Sequence, residues 1–130
     1  MPIRILIADD HRILRAGLKS LMNIEDDLEV VGEVTSGAEV VESIQSLHPD
    51  IVLMDISMPV MNGIDATRAI ISRHPEIKVV ALSGLGDTQT IQKMIAAGAS
   101  GYLLKNARPE ELKSTLQAVY GGQFVFSADV

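Results

Sequence analysis

Residues 51–59 read Ile51-Val52-Leu53-Met54-Asp55-Ile56-Ser57-Met58-Pro59, an unbroken apolar run that ends on one carboxylate, with a proline four residues later. The run does not alternate with polar residues, which predicts a strand covered on both faces. A charge beside such a strand is costly unless something pairs with it. The chain around Asp55 must therefore supply partners, and the search for them organises the rest of the sequence.

Four further β-type runs stand out: Ile3–Ala8, Leu28–Val34, Val79–Leu82 and Gly101–Leu104. Segments with helical spacing separate and follow them. The first carries Ile13, Leu14, Leu18, Leu21 and Met22 on one predicted face. The second opens with Ser36-Gly37-Ala38-Glu39, a capping-box spacing, and continues through Val40, Val41, Ile44 and Leu47. The third runs from about Ile64 to Arg73 and stops at Pro75. The fourth starts near Asp87 or Thr88, carries Ile91, Met94 and Ile95, and ends at Gly98. The last has Pro109 in its first turn and Leu112, Leu116 and Val119 on its inner face, with Gly121-Gly122 beyond. Strict alternation of strand and helix predicts an α/β parallel sheet with helices on both faces and right-handed crossovers.

The chain has 130 residues, enough for one domain with a single core. Hydrophobic residues make up 47% and charged residues 22%, ordinary for a globular protein, and with only two Phe, two Tyr and no Trp the core must be aliphatic. There are no cysteines, which excludes disulfides and thiolate metal sites and fits a reducing, cytoplasmic setting. A net charge of −6 argues against nonspecific duplex binding by this chain. The N-terminal apolar run is too short for a signal peptide or membrane span.

In parallel sheets of this kind, ligands bind beyond the carboxyl ends of the strands. Asp9-Asp10, Asp55, Ser83 and Lys105 follow the first, third, fourth and fifth runs. If they converge, each pair of carboxylates repels by about 4 kcal/mol at 4 Å and an effective dielectric near 20. A hard divalent cation and the Lys105 ammonium would relieve that repulsion. Mg2+ suits the role because it binds one or two carboxylates and accepts phosphate oxygens as further ligands. The implied chemistry is transfer of a phosphoryl group onto a carboxylate. Taken singly, each aspartate also fits a helix cap or turn, Ser83 a turn hydroxyl and Lys105 a solvated surface lysine. Their joint placement carries the signal.

At these residues the chain resembles the receiver domains of two-component response regulators, over essentially its whole length. The set comprises Asp9-Asp10, then Asp55-x-x-Met58-Pro59-x-Met61-x-Gly63, then Ser83, then Lys105. The stretches ILIADDHRILRAGLKSLM (5–22) and GASGYLLKN (98–106) are similar to the NarL/FixJ (LuxR-type) subfamily. The resemblance implies a flavodoxin-like single domain with strand order 2-1-3-4-5. It implies that a sensor histidine kinase phosphorylates Asp55. Mg2+ would be held by Asp10, Asp55 and the backbone carbonyl of Ser57, with Asp9 acting through water. Ser83 would bind phosphoryl oxygens, Lys105 would pair with one of them, and Tyr102 would be an aromatic switch whose ring turns inward.

Such a protein is a signalling phosphoacceptor rather than an enzyme in its own right. The subfamily usually continues into a helix-turn-helix DNA-binding domain. Residues 1–122 are then the receiver and 123–130 a tail or the start of a linker, with transcription as output and dimerisation on phosphorylation as a means. A stand-alone receiver acting through protein contacts is the alternative. An aspartyl-phosphate phosphatase is disfavoured because its two aspartates stand two residues apart, not adjacent like Asp9 and Asp10. A nucleotide-binding domain is disfavoured because the Gly84-x-Gly86 stretch lacks the last glycine of GxGxxG. Two positions depart from the family's habit. Asn106 replaces the proline that commonly follows the lysine, so a cis bond there would cost about 3–4 kcal/mol. Gly84 stands where a slightly larger residue is common. Of the histidines, His11 is expected at the rim as a helix-start residue, and His48 and His74 each precede a proline at a helix end.

Overall fold

The computed structural model describes residues 2–56, 58, 61–84 and 88–126. The expectations for Ser57, Pro59, Leu85, Gly86 and residues 127–130 fall outside those described. The elements follow in the order β1 (Ile3–Ala8), α1 (Arg12–Asn23), β2 (Leu28–Val34), α2 (Gly37–Leu47), β3 (Ile51–Asp55), α3 (Gly63–Arg73), β4 (Lys78–Ser83), α4 (Thr88–Ala97), β5 (Gly101–Leu104) and α5 (Pro109–Tyr120). All neighbouring strands are parallel, as the alternation of elements predicts, and the sheet order is β2-β1-β3-β4-β5, as the family resemblance implies. β3 is central, paired to β1 on one side and β4 on the other, and all five of its residues are buried. That position explains why its sequence is apolar without alternation.

Alternation survives in where the side chains go. Leu6, Val52, Met54, Val79 and Ala81 pack on one side with Val40 and Ile44 of α2, Ala66 and Ile70 of α3, and Ile91 and Met94 of α4. Ile5, Ile7, Ile51, Leu53, Val80 and Leu82 pack on the other with Leu18 and Met22 of α1 and Leu112, Leu116 and Val119 of α5. Burying each such side chain contributes roughly 1.5–3 kcal/mol. The two layers hold the sheet as a rigid platform for whatever its strand ends carry.

Local signals set the helix ends. Ser36 caps α2 by accepting from the Glu39 N–H at 3.2 Å. The Glu39 carboxylate takes the Thr35 hydroxyl at 2.8 Å. Asn62, which sequence spacing did not single out, caps α3 through the Asp65 N–H at 2.9 Å. Gly98 ends α4 at φ +109°. His48 closes α2 in the left-handed region at φ +46° without the help of glycine.

Two expectations need correction. The apolar face of α1 is narrower than its sequence suggests: Leu18 and Met22 are buried, but Ile13 is 88% exposed and Leu21 lies at the surface. Ile95 of α4 is likewise exposed. Only one row of each helix meets the sheet, and the remaining apolar residues lie beyond its reach. The Lys105–Asn106 peptide bond is trans. Beyond α5, Val125 runs beside β5, accepting from Tyr102 N–H at 2.9 Å and donating to the Ser100 carbonyl at 3.0 Å.

Candidate functional site

The carboxyl edge of the sheet gathers the predicted groups. Asp9 directly follows β1, its N–H bonded to the Val34 carbonyl at 3.1 Å. Asp55 is the last residue of β3. Lys105 directly follows β5 and is fixed by its N–H, which donates to the Ser83 carbonyl at the end of β4 at 2.8 Å. Asp9 and Asp55 are both buried, at 0% and 2% exposure. The Lys105 Nζ lies 3.3 Å from Asp9 Oδ2 and 3.3 Å from Asp55 Oδ2, so a single ammonium bridges the ends of the two adjacent strands β1 and β3. Asp10 lies at the solvent side of the same cluster.

The main chain under Asp55 is crowded, and glycine is required there. A Cβ added to Gly63 would strike the Asp55 carbonyl oxygen, and one added to Gly37 would strike the Met61 carbonyl oxygen. Gly63 N–H instead donates to the Ile56 carbonyl, and Gly37 N–H to that of Met61, both at 2.9 Å. The buried Thr67 hydroxyl closes the turn on the Gly63 carbonyl at 2.7 Å. The spacing from Asp55 to Gly63 thus brings the start of α3 back against the end of β3.

Ser83 is half-buried and in register with Leu104, one residue before Lys105. Gly84 is exposed, and a Cβ added to it would meet open space. Tyr102 is 1% exposed, packed in the cluster that contains Ile91, Met94 and Ala99. Its ring is therefore already inside, where the resemblance implied a ring that turns inward. The neighbouring strand β4 and the Val125 segment flank it on either side.

His11 keeps its expected place at the rim and also reaches the acids. It is the N-cap of α1 and its side chain is 62% exposed, as a rim residue would be. Its ring nevertheless reaches back over the acids. Nδ1 stands 2.8 Å from Asp9 Oδ1, 3.3 Å from Asp10 Oδ1 and 3.8 Å from Asp55 Oδ2. Lys105 Nζ is 3.0 Å from the same nitrogen. Adjacency to the acidic pair was the only hint in the sequence.

The residues fit a divalent cation. Asp9, Asp10, His11 and Asp55 each offer a ligand atom, all within 4.8 Å of one another. Among the described residues, Asp9 Oδ2 is buried without a hydrogen bond, with Lys105 at ion-pair distance. Three carboxylates against one ammonium leave negative charge in excess, and carboxylate oxygens are the ligands hard cations take.

Residues 5–117 match the response regulator receiver domain. The chain belongs to that family. A transcriptional regulatory protein of Bacillus subtilis, YhcZ, is 41% identical over 128 residues, which is 98% of this chain and 59% of that protein. A LuxR-family two-component response regulator from Aurantimonas superposes with a TM-score of 0.93 at 32% identity, over 99% of this receiver and 92% of that chain. The receiver domain of a NarL response regulator from Mycobacterium tuberculosis superposes with a TM-score of 0.90 at 28% identity, over 94% and 98%. The receiver spans 52–60% of the length of curated relatives it matches. Among its described residues no helix is long and apolar enough to cross a membrane.

Proposed function

We propose that this receiver is a phosphoacceptor switch in which Asp55 takes a phosphoryl group from a phosphohistidine of a sensor kinase. The supporting observation is the single ammonium of Lys105 held 3.3 Å from both buried carboxylates at the carboxyl edge of the sheet. An Asp55 oxygen attacks phosphorus in line, the O–P bond forms, and the P–N bond breaks with its electron pair leaving on the imidazole. Asp10, Asp55 and the Ser57 carbonyl would hold Mg2+, with Asp9 acting through water; when bound, the ion neutralises charge on the carboxylates and the phosphoryl oxygens. Lys105 then exchanges its carboxylate contacts for a phosphoryl oxygen, and Ser83 donates its hydroxyl to another. β3 aims the nucleophile, and Gly63 at the start of α3, packed against the Asp55 main chain, keeps it from retreating.

The output proposed is transcriptional. The named relatives are transcriptional regulators, and they extend well beyond the length matched here. Phosphorylation would bias the surface of α4, β5 and α5 and change dimerisation or the release of a helix-turn-helix domain following the linker that residues 123–130 would begin. DNA would be met through that domain, not through this acidic receiver. The buried Tyr102 sits between β4 and the Val125 segment, so a shift at Ser83 has a short route to the tail.

The test is incubation with Mg2+ and acetyl phosphate followed by intact mass. One phosphoryl increment is expected in the parent and none in Asp55→Asn. Label persisting in Asp55→Asn, or absent from the parent, would overturn the proposal.

A further inference from the structure

We infer that His11 is an inner-sphere donor of the cation site, tilting it toward divalent ions that accept imidazole nitrogen, such as Co2+, Ni2+ or Zn2+. The inference rests on the cation pocket proposed above and adds a ligand that the carboxylate set alone does not contain.

Three observations carry it. First, the spacings are those of ligands sharing one ion. With bonds of about 2.1 Å, neighbouring donors of an octahedron stand roughly 3 Å apart and opposite ones roughly 4.2 Å. His11 Nδ1 lies 3.3 and 3.8 Å from oxygens of Asp10 and Asp55, the two carboxylates assigned to the ion. Second, Asp9 Oδ2 is fully buried without a hydrogen bond in the same pocket, an acceptor whose charge Lys105 meets only at 3.3 Å. Third, Nδ1 faces incompatible demands. Its 2.8 Å approach to Asp9 Oδ1 calls for a proton on the nitrogen, whereas its 3.0 Å approach to the Lys105 ammonium calls for a lone pair. One nitrogen cannot supply both. A cation among these donors accepts the nitrogen lone pair and the carboxylate oxygens together, and leaves Lys105 free to turn to a phosphoryl group.

The main chain that carries the ring is also held in place. The His11 N–H donates to Asp9 Oδ1 at 2.7 Å, and its carbonyl accepts from Arg15 N–H at 3.0 Å. The residue is thus tied at both ends, to the acid below and the helix above. Its exposed outer edge leaves the ion a path from solvent. Imidazole nitrogen favours later first-row ions over Mg2+, whose preference is for oxygen.

Calorimetric titration with Co2+ and with Mg2+ on the parent, His11→Gln and Asp55→Asn, together with electron spin-echo spectra of the Mn2+-loaded proteins, tests this. The parent is expected to show modulation from a directly bound 14N, absent in His11→Gln. That variant is expected to lose Co2+ affinity by about tenfold or more, with a clearly smaller loss for Mg2+. A Mn2+-bound parent without nitrogen coupling overturns the inference. So does equal weakening of both ions, or tighter binding of both in His11→Gln, which would make the ring a plug instead of a ligand. A parent that is labelled on Asp55 with Mg2+ yet lacks nitrogen coupling loses only the His11 assignment. A parent that binds neither ion, or an Asp55→Asn variant that binds both as the parent does, removes the pocket itself.

Discussion

The two ends of the sheet handle charge in opposite ways. At the amino end, Arg4 on β1 donates its Nη2–H to the Leu47 carbonyl at 2.7 Å, closing the last turn of α2. The Arg4 N–H donates to Asp50 Oδ2 at 2.9 Å, and Asp50 N–H returns a bond to the Arg4 carbonyl at 2.8 Å. A cation there sits at a helix C-terminus, where the macrodipole favours it. At the carboxyl end, Asp9 and Asp55 share one lysine with Asp10 beside them, and Asp9 Oδ2 has no hydrogen bond among the described residues. The first arrangement is complete; the second is left with excess negative charge. A fold that can satisfy its charges at one edge and does not at the other is holding the second edge ready for a ligand.

Breaking the support of the reactive end should have the largest effect. Gly63→Ala drives a methyl group into the Asp55 carbonyl, which belongs to the central strand. Unfolding in urea, followed by circular dichroism, should show a loss of about 3 kcal/mol. An unchanged midpoint would mean the loop yields freely and does not fix Asp55.

The next two variants carry opposite signs and test the contrast directly. Asp50→Ala removes the carboxylate that accepts from the Arg4 N–H, and should cost about 1–2 kcal/mol of unfolding free energy. Asp55→Asn removes a carboxylate from a crowded cluster, and without divalent ions should raise stability by roughly 1 kcal/mol. Added Mg2+ should stabilise the parent in proportion to the logarithm of its concentration and leave Asp55→Asn nearly unmoved. If Asp55→Asn is destabilising in the absence of ions, the carboxyl end is not strained by like charge and the contrast fails.

The same contrast marks what could be read from sequence. β3 was legible because a central parallel strand has no solvent face, so its run from Ile51 to Met54 could hardly be anything else. Asp9, Asp55, Ser83 and Lys105 were legible because the topology itself delivers strand ends to one edge. The inner row of α1 was not. Ile13 and Leu21 share helical spacing with Leu18 and Met22, and nothing in residue type says which row the sheet will meet. Tyr102 lies on a strand of four residues, too short for alternation to decide its side, and the Val125 segment closing that edge lies some twenty positions away. His11 was legible as a helix-start residue at the rim, and it is one. Its place beside Asp10 is plain, but the approach of its ring to the three acids is a tertiary property that the sequence does not carry.

The smallest expected effect concerns the one glycine at this edge that nothing crowds. A Cβ on Gly84 would meet no atom within 4 Å, and its φ lies outside the left-handed region, so Gly84→Ala should fold as the parent does. The residue follows Ser83, whose hydroxyl is proposed to contact the phosphoryl group. A methyl group there would shield the Asp55 phosphoryl group from attacking water. We expect dephosphorylation of acetyl-phosphate-labelled protein to slow by about two- to threefold, the equivalent of roughly half a kcal/mol in the barrier. Loss of label followed by intact mass measures it, with Gly63→Ala excluded from the comparison because its loop is disturbed. A faster rate in Gly84→Ala would mean that this glycine protects the phosphoryl group through loop conformation, and the open space beside it would have no part in setting its lifetime.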